Sequence, residues 1–252
     1  MSLFSKRKKL LAVGSRKVLI ASGDSWTGGS GYKQKKDPFP YWPEVLANKL
    51  DMDFINVARG GKGNEFIYNH MIDTLCTTKR IGLSICLWSH FDRWDFFQWT
   101  FNVNPDKLYP LKGVHPESAK RHQKVLFSLF EHGGLADGVH NLLKSVRWYH
   151  AFQNHCELHN IPYLQMQAFH PTLDSVMKKF LDSSQLDLID DSKFIGWPMY
   201  RELGGKTMWN MLDEVDPEQT RLRVSKEDLH PNDKGHDYIA EILYDKYKEI
   251  YL

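Results

Sequence analysis

Two short stretches near opposite ends of the chain hold the residue types needed for nucleophilic catalysis. Ser25 ends the tripeptide Gly23-Asp24-Ser25, just past the apolar run Val18-Leu19-Ile20-Ala21. His230 stands in Asp228-Leu229-His230-Pro231. A serine hydroxyl is a weak nucleophile until an imidazole takes its proton, and a carboxylate keeps that imidazole in the useful tautomer. The tripeptide alone is ordinary turn material. Its chemistry depends on a fold that brings the two ends together.

Other clusters carry less. Gly60-Gly61-Lys62-Gly63 lacks the glycine spacing and the Lys-Ser/Thr pair of a phosphate-binding loop. His155 and His159 are spaced for one helix face, but Glu157 is misplaced for a zinc-binding His-Glu-x-x-His pattern. Neither a metal nor a cofactor is expected. His236 reads as a helix-packing residue.

These residues need a scaffold. Val18–Ala21, Phe54–Ala58, Ile81–Trp88 and Pro162–Phe169 read as strands. Trp42–Leu50, Asn64 to about Cys76, a long region from Ser118 to about His159 broken at Gly133-Gly134, and Asn232–Tyr251 read as helices. That alternation implies a mainly parallel sheet covered by helices on both faces. In such a sheet the functional crevice lies beyond the carboxyl ends of the strands. Ser25, the glycines at 60–63 and the pair Ser89-His90 each follow a strand, so the topology gathers them.

Two stretches break the alternation. Residues 89–117 hold Phe91, Trp94, Phe96, Phe97, Trp99, Phe101 and Tyr109 without a clean period, and residues 182–226 are polar and irregular. Both read as insertions, either wrapped on the core or walling a substrate site. The rest reads as one domain over 17–252 behind a basic arm, 1–16.

The 252 residues are 42% apolar and 25% charged with net charge +2, ample for a core and giving no reason to expect nucleic acid. Lys6-Arg7-Lys8-Lys9 reads as a solvated arm. The apolar stretch behind it is too short for a signal peptide, and no window approaches a membrane span. Of the three cysteines, Cys76 and Cys86 read as buried thiols. A protein made in a reducing, cytoplasmic compartment is expected, with no membrane partner and an open oligomeric state.

The chain resembles the SGNH (GDSL-like) hydrolase superfamily, and most closely its phage-encoded members. Ala21-Ser22-Gly23-Asp24-Ser25-Trp26 is similar to the family's nucleophile block, Asn56-Val57-Ala58-Arg59-Gly60-Gly61 to its glycine block, and Asp228-Leu229-His230-Pro231 to its terminal block. The resemblance implies a flavodoxin-like α/β/α fold and a serine esterase with Ser25, His230 and an acid as its triad. It also implies an oxyanion hole from the N–H groups of Ser25 and Gly61 and a third donor. The usual spacing puts the acid at Glu227. Asp228 is preferred here, since a shorter side chain loses less freedom when fixed. After the third strand the family's Gly-x-Asn-Asp is replaced by Trp88-Ser89-His90-Phe91-Asp92-Arg93. Ser89 or His90 is expected to supply the missing donor, with Asn64, His90, Arg93 and Trp26 as candidate substrate contacts. Asn64 reads rather as a helix cap, and Arg93 with Asp92 rather as a surface ion pair. An acylated carbohydrate is the expected substrate class. The alternative is a non-catalytic binding or structural module, virion-associated in a phage.

Overall fold

The computed structural model describes residues 15–28, 39–96, 99–104, 107–110, 137–170 and 174–252. The basic cluster at 6–9 and the helical expectation for 118–136 lie outside the described residues. Along the described chain the strands are β1 (Val18–Ser22), β2 (Asp53–Asn56), β3 (Ile81–Trp88), β4 (Arg93–Phe96), β5 (Trp99–Asn104), β6 (Lys107–Pro110), β7 (Tyr163–Gln167) and β8 (Phe194–Ile195). The helices are α1 (Ser25–Gly28), α2 (Trp42–Lys49), α3 (Asn64–Leu75), α4 (Gly138–Leu158), α5 (Asp174–Leu181), α6 (Met208–Val215) and α7 (Asp233–Tyr251).

A five-stranded sheet runs β2-β1-β3-β7-β8 with every neighbouring pair parallel. β1 is buried at all five positions, as a strand covered on both faces must be. Its side chains alternate between two layers. Leu19 and Ala21 meet Trp42 and Leu46 of α2 and Ile239 and Leu243 of α7. Val18 and Ile20 meet Ile67 and Met71 of α3 and Tyr149 and Phe152 of α4. Each large apolar side chain buried this way contributes about 1.5–3 kcal/mol. The result is the expected α/β/α sandwich.

The helix starts follow local chemistry. Pro43 sits in the first turn of α2, where its missing N–H costs nothing. Asn232 caps α7 by accepting from the Gly235 N–H. Thr207 and Asn210 form a reciprocal capping box on α6. Among the described residues, no helix is long and apolar enough to cross a membrane.

Three expectations change. Within residues 89–117 the chain forms a second, antiparallel sheet, β4-β5-β6, while Phe91 packs into the core beside Trp88. The irregular 182–226 stretch supplies the edge strand β8 and the helix α6. Cys76 is exposed at the end of α3; Cys86 and Cys156 are the buried thiols. Burial pushes the Cys156 thiol up to about 12.

Candidate active site

β1 stops at Ser22, and Asp24 turns the chain into the single helical turn α1. Asp24 Oδ1 accepts the Trp26 N–H at 3.0 Å, and its carbonyl accepts from Thr27 and Gly28. Ser25 therefore occupies the first helical position, where a backbone N–H has no partner inside the helix. Gly23 admits no side chain there, since a Cβ would lie 2.2 Å from Thr27 Oγ1.

The loop before α7 brings the imidazole to this turn. Its backbone is pinned by Val224 N–H on the His230 carbonyl and Ser225 N–H on the Asp228 carbonyl. Ser25 Oγ lies 2.8 Å from His230 Nε2, and His230 Nδ1 lies 2.5 Å from Asp228 Oδ1. Partial burial works to raise the Asp228 carboxyl, but side-chain and backbone hydrogen bonds from His230 outweigh it and hold it below its ordinary range. An ionised carboxylate only accepts. Nδ1 then carries the ring proton, and Nε2 is left to accept from the serine hydroxyl. Glu227 points elsewhere, taking the Ser225 hydroxyl at 2.9 Å.

The glycine loop sits against the serine turn. Arg59 N–H bonds the Gly23 carbonyl at 3.1 Å, and Asn56 Nδ2 bonds the Thr27 carbonyl at 2.7 Å. The loop closes with Lys62 N–H on the Arg59 carbonyl. Gly61 has φ +75° within that turn, a conformation that costs a glycine nothing. Among the described residues, neither the Ser25 nor the Gly61 N–H has an acceptor. Asp95 of β4 braces the loop by accepting from Gly63 N–H at 3.0 Å and Phe66 N–H at 2.9 Å. It thereby caps α3 from another element, and Asn64 is the first residue of that helix rather than its cap.

The third donor expected from Ser89 does not have the geometry. Ser89 Oγ donates to Asp24 Oδ2 at 2.7 Å, and its N–H donates to Asn64 Oδ1 at 2.7 Å. Both donors are spent inside the fold. Asn64 is likewise withdrawn from substrate, with its amide on Ser89, Ser145 and Tyr149. Trp26 is buried, its ring stacked on Trp209 at 5.4 Å and edge-on to Phe169. It is core, although it follows the serine directly. His90 lies flat on Phe169, with ring centroids 4.1 Å apart. Burial, with Arg93 nearby, holds its imidazole well below the ordinary range and therefore neutral.

Among the described residues Arg93 forms no ion pair with Asp92, and its Nη1 is committed inside the fold. Its Nη1 lies 2.7 Å from Asp24 Oδ2, 2.5 Å from Ser89 Oγ and 3.1 Å from the Lys62 carbonyl. One guanidinium thus ties the serine turn, the end of β3 and the glycine loop. Sequence reasoning missed this junction and the brace from Asp95.

Among the described residues, no group of three or more His, Cys, Asp or Glu is placed to hold a metal ion. His155 and His159 stack on each other at 4.7 Å. No family model and no curated protein matches the chain. Solved structures do resemble it over most of its length. A G-D-S-L family protein from Desulfitobacterium hafniense is 14% identical, with 92% of this chain and 99% of that one covered and a TM-score of 0.49. Esterase EstA from Pseudoalteromonas is 13% identical, with 92% and 97% covered and a TM-score of 0.47. A carbohydrate esterase family 2 enzyme from Corynascus thermopiles is 11% identical, with 96% and 68% covered and a TM-score of 0.49.

Proposed function

We propose that the protein hydrolyses carboxylic esters through a serine nucleophile. The observation that carries this reading is the continuous run of hydrogen bonds from Ser25 Oγ through His230 to Asp228. Ser25 Oγ attacks the ester carbonyl as His230 Nε2 takes its proton, and Asp228 stabilises the imidazolium that forms. The tetrahedral oxyanion is met by the Ser25 and Gly61 N–H groups. Collapse of the intermediate expels the alcohol, which leaves with the proton from Nε2. Water, deprotonated by the same nitrogen, then releases the acid from Ser25. Loss of one oxyanion donor costs on the order of 10²–10³ in rate, so modest turnover is expected of a site with two.

Within that class, an O-acylated carbohydrate is the proposed substrate. The aromatic residues of the 89–117 stretch support it, because flat sugar faces stack on rings; Phe91, which is in the core, has no part in that. The test is a fluorophosphonate probe on the full chain, followed by acetate release from O-acetylated oligosaccharides and from p-nitrophenyl acetate. Covalent labelling that vanishes in Ser25→Ala supports the hydrolase. Preference for the oligosaccharide supports the carbohydrate.

A second reading, a ligand-binding or virion module on the same fold, is favoured by the commitment of both Ser89 donors. It predicts no labelling and no turnover.

A further inference from the structure

The mechanism proposed above requires Ser25 and His230 to hold one separation, yet they belong to different elements. Arg223 stands where those elements meet. Its side chain is wholly buried, with 0% exposure. The guanidinium carbon lies 4.7 Å from the Trp26 ring and 4.7 Å from the Trp209 ring. Nη1 donates to the Leu229 carbonyl at 3.1 Å, and Nη2 donates to Asp213 Oδ1 at 2.9 Å. Trp26 is the residue after Ser25, and Leu229 is the residue before His230. The Arg223 backbone adds a bridge to Pro231, just past the histidine.

We propose that Arg223 is a positioning residue that sets the distance between the Ser25 hydroxyl and the His230 imidazole. This rests on reading those two as nucleophile and base. A buried cation needs compensation, and here Asp213, a carbonyl and two ring faces supply it together. The planar fork suits this, because its edges hydrogen-bond to Leu229 and Asp213 while its face lies on the rings. A lysine ammonium cannot do both. Shifting either anchor moves one half of the Ser25–His230 pair relative to the other. A displacement near 1 Å costs on the order of 100-fold in such chemistry.

The experiment compares wild type, Arg223→Lys, Asp213→Asn and Lys206→Ala in the full chain. Lys206 pairs with Glu214 on the outer side of α6 and touches neither anchor. The readouts are fluorophosphonate labelling rate, kcat and KM on p-nitrophenyl acetate, thermal unfolding, and the low-field proton resonance of His230 Nδ1–H. Arg223→Lys is expected to label about 100-fold more slowly, with the loss in kcat rather than KM. It should also lose or broaden the low-field resonance while still unfolding cooperatively. Asp213→Asn should show the same signature more weakly, and it carries the test if Arg223→Lys does not fold. Lys206→Ala should match wild type. A labelled wild type with Arg223→Lys and Asp213→Asn equal to it in rate and resonance overturns the role of Arg223 and leaves the hydrolase standing. A wild type that the probe does not label at Ser25 overturns the hydrolase, and with it the positioning role.

Discussion

Arg93 and Asp24 form an ion pair of 2.7 Å with side-chain exposures of 9% and 0%, directly beneath the Ser25 turn. A pair this buried draws its value from completeness. Asp24 has its remaining oxygen on the Trp26 N–H, and Arg93 also reaches Ser89 and the Lys62 carbonyl. Removing one partner strands the other charge in a dry site, which costs about 3–5 kcal/mol. Arg93→Met and Asp24→Asn should each lower stability by that order in urea unfolding. The double variant should be less destabilised than the sum, and strict additivity would show that the two charges do not act as a pair.

Geometry favours Asp228 as the acid of the proposed relay. Asp228 Oδ1 receives both the ring and the backbone N–H of His230, whereas Glu227 receives only the Ser225 hydroxyl. Asp228→Asn presents an amide that can turn a donor toward Nδ1 and favour the wrong tautomer. A fall in kcat of roughly 10³–10⁴ is expected, against a few-fold at most for Glu227→Gln. Steady-state rates on p-nitrophenyl acetate separate the two, and the opposite ranking would reassign the acid.

Acid sensitivity should trace to His236. Its Nδ1 accepts the Trp42 N–H at the start of α2, so the neutral ring is the one that fits. Burial, helped by His230 and opposed by Asp233, lowers its pKa from 6.5 to about 3. The unfolded chain then binds this proton more readily than the folded one. Stability from this residue is complete above pH 6.5 and declines as the pH falls toward 3. Urea midpoints at pH 7 and pH 4 should differ more for wild type than for His236→Asn, which keeps an acceptor but cannot be protonated. Equal differences would place the acid sensitivity elsewhere.

Asp95 links the second sheet to the glycine loop. Asp95→Ala removes the carboxylate from the α3 N-terminus and should cost about 0.5–2 kcal/mol, as caps do. It should also slow turnover, because Gly63 is two residues from Gly61. A stability loss with kcat unchanged would mean that the brace does not reach the oxyanion donors.

The elements that were legible had one dominant signal each. Ile81–Trp88 is a nearly all-apolar run, and the strand has those ends; the helix expected over Asn232–Tyr251 is α7, with Asn232 as its cap. The β4-β5-β6 sheet was missed although Trp99, Phe101 and Val103 alternate with Thr100, Asn102 and Asn104. The alternation restarts after Phe96 and again after Asn104, so the whole stretch has no single phase. The serine, histidine and acid stood out by type and order, and the structure brings those three together. The assignments that failed were about direction. Trp26, Asn64 and Ser89 flank the site in sequence, but their side chains turn inward. Arg93 and Arg223 were illegible for another reason: arginine is rarely buried, and one partner of each, Asp24 and Trp26, lies far along the chain.

Ser25 and His230 are 205 positions apart in the chain. During synthesis the serine emerges long before its base, and a serine hydroxyl without a base is chemically quiet. In the proposed mechanism Ser25 stays dormant until α7 docks beside α2, where Lys49 meets Glu241 and Trp42 meets His236.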